Sequence, residues 1–62
     1  MEIEIDGKRM DIAAGSDVRD ALKTAKINPE TVLVKRRGAL IPHDEPLNGG
    51  DILELISVIS GG

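Results

Sequence analysis

The sequence predicts an α+β domain: one mixed sheet of four to five strands with a single helix packed across one face. Three observations predict it. Apolar residues recur at every second position in short runs near both ends and in the middle of the chain, and at helical spacing only between Ser16 and Asn28. The apolar content is eight Ile, six Leu and four Val with no Phe, Tyr or Trp, and branched aliphatics favour pleated sheet. A length of 62 residues allows one domain that buries only about 60% of its unfolded surface, which leaves little room for an internal active-site cavity. Function is therefore expected on the surface or the tail.

The elements follow in order. Met1, Ile3 and Ile5 alternate with Glu2, Glu4 and Asp6, the period of a strand with one wet face. Asp6-Gly7 is a hairpin signal, and Arg9 to Ala13 resumes the alternation as an antiparallel return that places Met10 and Ile12 inward. Ser16 is a helix N-cap, Asp17 and Asp20 lie where the dipole favours negative charge, and Val18, Ala21, Leu22 and Ala25 form an apolar stripe over a helix of about ten residues. Asn28-Pro29 stops that helix, because a residue before proline is pushed out of the α region. Thr31 to Lys35 reads as a third strand, Arg36-Arg37-Gly38 as a turn, and Ala39-Leu40-Ile41 as a short apolar piece. Pro42 to Gly50 is a surface loop rich in turn residues. Asp51 opens the last strand, in which Leu53, Leu55 and Ile59 share the inner face. Ile52, Ile56 and Val58 then fall on the outer face, interrupted by Glu54. An outward aliphatic stripe beside the end of the chain is a candidate partner surface.

The last residues are Ser60-Gly61-Gly62, almost directly after the strand. Glycine has no Cβ, so a diglycine can thread a slot too narrow for any side chain and offer its carbonyl carbon from either face. The alternative is a frayed end of no consequence. The division expected is a globule over 1–59 and a flexible tail over 60–62.

Composition excludes several function classes. Eight Lys+Arg against 11 Asp+Glu, a formal net charge of −3, disfavours nucleic acid or an anionic membrane as the main partner. No apolar run approaches the roughly 20 residues of a membrane span, and Met1 to Asp6 is no signal peptide. The absence of cysteine excludes disulfides, thiolate metal sites and a thiol nucleophile, and fits the cytoplasm. Lys35-Arg36-Arg37, with Lys8 and Arg9, could be a basic patch, but a solvated turn is the expected reading, since no aromatic residue exists to stack a base. His43, with no second histidine, is expected to be a solvated loop residue, and Gly49-Gly50 a turn. An enzyme would need a base or nucleophile in a pocket, and one loop histidine does not supply it.

Two strands, a helix and two or three further strands is the order of a β-grasp. The run from Gly50 to Gly62, a Gly-Asp turn, an aliphatic strand and an arm closing in diglycine, resembles the ending of ubiquitin-like sulfur carriers. Asn28 to Val34 and on through Ile41-Pro42 resembles the middle of archaeal small modifier proteins and of the thiamine-pathway carrier. The resemblance implies a carrier and not a catalyst. The Gly62 carboxylate, a poor electrophile, would be joined to AMP by an ATP-using adenylating enzyme related to ubiquitin-activating enzymes, and a persulfide donor would then convert it to a thiocarboxylate. Gly61 and Gly62 are the expected reaction site, with Ile52, Ile56, Val58 and Ser60 docking the partner. An arm from Ser57 to Gly62 would reach about 20 Å. The implied partners are the adenylating enzyme, a sulfur donor, and a sulfur-accepting enzyme or target lysines, with the carrier a monomer, holding no metal and no resident cofactor. Thiazole synthesis and tRNA thiolation are the expected destinations, ahead of molybdopterin synthesis, whose carriers often place paired prolines before the tail. Lys8, Lys23, Lys26 and Lys35 are unranked acceptors if the chain is conjugated to itself. The competing reading is an interaction module whose diglycine is incidental.

Overall fold

The computed structural model describes residues 1–58. It contains strands β1 (Glu2–Ile5), β2 (Lys8–Asp11), β3 (Val32–Arg36), β4 (Ala39–Ile41) and β5 (Ile52–Ser57), with one α-helix, α1 (Val18–Thr24), between β2 and β3. The strands lie in the order β2-β1-β5-β3-β4, so the last strand enters the middle of the sheet, parallel to β1 and antiparallel to β3. This is the mixed sheet that the alternation predicts.

The first hairpin turns at Asp6 and Gly7, with φ of 49° and 83°, the two left-handed residues that a two-residue hairpin of matching twist requires. The Asp6 carboxylate also accepts a bond from the Leu55 amide at 3.1 Å, tying the turn to the central strand. Ile12 is buried, as expected, while Met10 at the sheet edge is half-buried.

The helix corrects three expectations. Its N-cap is Asp17, not Ser16: Asp17 Oδ1 accepts from the Asp20 amide at 2.9 Å, and Asp20 Oδ2 accepts from the Asp17 amide at 3.2 Å. That reciprocal capping box satisfies two donors at once. Ser16 instead turns inward and its hydroxyl donates to the Ala13 carbonyl. The helix is also shorter than ten residues, because it closes before Asn28-Pro29. Lys26 adopts φ 60°, its amide donates to the Lys23 carbonyl, and the Ile27 amide donates to the Leu22 carbonyl at 2.8 Å. This is a Schellman close with half-buried Ile27 packed on the core. Asn28-Pro29 starts something instead of stopping it. Asn28 Oδ1 accepts from the Glu30 amide and caps a 3₁₀ turn over Pro29–Thr31.

Lysine is a poor occupant of a left-handed position, where a Cβ crowds the following carbonyl. Lys26→Gly is therefore expected to stabilise the domain by about 0.5–1 kcal/mol despite the added freedom of the unfolded chain. A higher urea midpoint with an unchanged slope checks it; a lower midpoint would mean that the lysine side chain contributes more than the strain costs.

The core lies between α1 and one face of the sheet. Val18, Ala21 and Leu22 from the helix meet Ile3, Ile5, Val34 and Leu53 from the strands. Leu47 joins them from the loop that was expected to be surface only. The loop is held by main-chain bonds: the Val18 amide donates to Glu45, Arg19 to His43 and Leu47 to Ser16. Arg36 fastens it from outside. Its guanidinium reaches Glu45 at 2.7 Å and Asp51 at 3.2 Å, and the Glu45 bond is the leading cause that raises its pKa above the ordinary arginine value. Arg36 is thus a structural clamp at the end of β3 and not a solvated turn residue. Ile59, assigned to the inner face from its spacing, lies outside the described residues.

Candidate functional site

The site is built on β5. Leu53 is fully buried and Leu55 half-buried on the helix side, so alternation turns Ile52, Glu54 and Ile56 to the opposite face. No helix covers that face among the described residues. Ile52 is 58% exposed, Ile56 40% and Val58 38%. The three described residues of the expected docking set are therefore at the surface, while Ser60, Gly61 and Gly62 lie outside the described residues.

The register adds two members that sequence reasoning missed. Leu33 stands opposite Ile56, and Leu40 opposite Lys35, which itself faces Glu54. Leu33 and Leu40 are 41% and 60% exposed. The outer face thus carries apolar side chains around a central Lys35–Glu54 position, with Glu4 beside Ile52 at the β1 side. In β3 the run Val32-Leu33-Val34 is apolar on both faces, so alternation could not tell which residue points outward. Only the pairing with β5 decides it.

The end of β5 is tied down further than expected. Ser57 pairs with Val32, and the Val58 amide donates to the Thr31 carbonyl at 2.9 Å. An arm counted from Ser57 includes two residues that the fold holds in place.

Other sequence candidates fall away from this face or into structure. His43 is half-buried, not solvated, and its Nε2 lies 3.2 Å from the Val32 carbonyl. Gly50 has φ 88° in the turn before β5, and its amide donates to the Glu2 carbonyl. Among the described residues no group of three or more His, Asp or Glu could hold a metal ion. No helix among them is long and apolar enough to cross a membrane. Lys8, Lys23 and Lys26 are exposed, whereas Lys35 is half-buried within the outer face.

Residues 2–62 match the model of the ThiS family. The chain is 33% identical over 55 residues to the sulfur carrier protein TtuB of Thermus thermophilus, covering 89% of this chain and 85% of that one. It is 34% identical over 62 residues to an uncharacterized protein of Archaeoglobus fulgidus, across 100% of this chain and 79% of the relative. Among solved structures it superimposes on the thiamine biosynthesis protein ThiS from Geobacter metallireducens with a TM-score of 0.76 at 25% identity, over 100% of both chains. SAMP1 from Haloferax volcanii gives a TM-score of 0.63 at 21% identity, over 98% of this chain and 97% of that one, a likeness of fold alone.

Proposed function

The chain belongs to the ThiS family of ubiquitin-like β-grasp sulfur carriers, and on that premise we propose that the Gly62 α-carboxylate is its working group. The carboxylate, with an ordinary pKa of roughly 3.5, is anionic at neutral pH and needs activation. A partner enzyme of the ubiquitin-activating type supplies it: a carboxylate oxygen attacks the α-phosphate of the partner's ATP and expels pyrophosphate. A persulfide sulfur then displaces AMP at the carbonyl carbon. Reduction of the resulting acyl disulfide by a thiol leaves the thiocarboxylate. The carrier contributes no catalytic residue and is the substrate throughout.

One observation supports this reading above the others. The strand that leads to Ser60-Gly61-Gly62 is the same strand that presents Ile52, Ile56 and Val58 on the open face. A partner docked there has the chain end delivered beside it. Residues 1–59 act as the globule and 60–62 as the arm, with Ser60 meeting the partner. Four residues follow Val58 and span at most about 14 Å fully extended, shorter than a count from Ser57 allows. The partner's nucleotide pocket must accordingly lie close under the docked face. The carrier works as a monomer in the cytoplasm and hands its sulfur to thiazole synthesis or to tRNA thiolation, with protein lysines as a second class of acceptor for the same activated tail. The test is ATP–pyrophosphate exchange by a cognate adenylating enzyme, which should depend on the native chain. Exchange that is indifferent to this chain would leave the diglycine incidental.

A further inference from the structure

At the end of β5, Val58 borders a groove that also takes in residues of α1, the Pro29–Thr31 turn, β3 and the loop after β4. Val32, Leu33 and Val58 supply its apolar wall, and Arg19, Glu30 and His43 its polar rim. Hydrogen bonds fix this rim. The Arg19 amide donates to the His43 carbonyl at 2.9 Å, the His43 ring meets the Val32 carbonyl, and Val58 is tied to Thr31 next to Glu30. Of the four arginines in the chain, Arg19 is the one that lines this groove. Arg36 is held by Glu45 and Asp51, whereas among the described residues the exposed Arg19 guanidinium forms no ion pair and no hydrogen bond. In a chain of net charge −3, an unengaged arginine stands beside the place where the chain runs on toward its diglycine.

We propose that Arg19 is a specificity determinant for the enzyme that receives the tail: it meets a carboxylate at the mouth of that enzyme's channel as the residues beyond Val58 enter it. The inference rests on the reading of Gly62 as the activated group. A guanidinium pairs with a carboxylate through two parallel bonds, which fixes orientation as well as attraction. Glu30, also on the rim, gives the groove a second sign of charge. The complementary rim therefore carries an acid toward α1 and a neutral or basic group toward the Pro29–Thr31 turn. Such a pattern sets register and rejects partners with the charges reversed.

Steady-state adenylation of the full chain by the cognate enzyme tests this. Arg19→Glu should raise KM about tenfold with kcat unchanged, because a rim charge governs encounter and docking and not the chemistry. Arg19→Lys should stay within about threefold of the native KM, retaining the charge but not the fork. The native KM should also rise with ionic strength, and in Arg19→Glu that dependence should reverse, because salt then screens a repulsion. The side chain is exposed and the main-chain bond to His43 survives either substitution, so the variants should melt with the native chain. An unchanged KM in a folded Arg19→Glu overturns the inference and leaves the functional reading standing. So does a raised kcat, which would mean that Arg19 holds this chain's own tail back. A native chain that is never adenylated overturns both.

Discussion

Ile56→Asp is expected to weaken docking by roughly thirtyfold or more while leaving the chain folded, with Leu53→Asp as its opposite. The two residues lie on the same strand and differ in face. Ile56 is 40% exposed opposite Leu33, and Leu53 is fully buried among the helix and strand side chains. An aspartate at 56 stays hydrated in the free carrier, so stability should change by no more than about 1 kcal/mol. In the complex the same carboxylate would be stripped of water against an apolar surface, and a central contact of this kind is typically worth 2 kcal/mol or more, roughly a thirtyfold loss of affinity. At 53 the charge would enter a core that is the main support of a domain without disulfide or metal, and the chain should not fold. Circular dichroism and titration against the adenylating enzyme separate the cases. An Ile56→Asp that binds normally would remove the outer face from the interface.

Deleting Gly61 and Gly62 should produce the contrasting phenotype, an unchanged fold with no activation at all. Among the described residues, the innermost core residue of β5 is Leu53, Leu55 packs against the cluster from its edge, and the last tie of the strand is the Val58 amide on Thr31. Removing two glycines takes away no apolar side chain, so the melting temperature should move by less than the few degrees that correspond to about 0.5 kcal/mol. Pyrophosphate exchange should fall to the level seen without carrier, because the carboxylate that attacks ATP has been moved away from its place. A fall in melting temperature beyond ten degrees or so would mean that the end of the chain packs into the domain.

Much of the architecture was legible because it depends on local periodicity. The alternation of Ile3 and Ile5 with Glu2 and Glu4, the Asp6-Gly7 turn and the Val18-Ala21-Leu22 stripe each announce an element and its inner face. What was not legible depends on pairing at a distance. Leu47 is a single apolar residue in a polar loop, and it is buried because bonds to Ser16 and α1 draw the loop inward. Arg36 reads as part of a basic turn until Glu45 and Asp51 arrive from nine and fifteen residues away. Leu33 and Leu40 belong to the outer face only through register with β5 and β3. The cap at Asp17 in place of Ser16 is a contest between neighbours, decided by the reciprocal bond to Asp20. The candidate docking stripe was visible on β5 itself, where Glu54 breaks the run, and invisible on β3, where nothing does.

The central claim is chemical, that one oxygen of the Gly62 carboxylate is exchanged for sulfur. Its most direct measurement is intact and peptide mass spectrometry of the chain after incubation with ATP, the cognate adenylating enzyme and a persulfide donor, beside a chain extended by one alanine. The account predicts a shift equal to the replacement of oxygen by sulfur, confined to the C-terminal peptide of the native chain and absent from the extended one, whose Cβ and displaced carboxylate no longer match a slot shaped for glycine. Equal modification of both chains, or a native terminus left unmodified under conditions in which the enzyme activates another carrier, would contradict it.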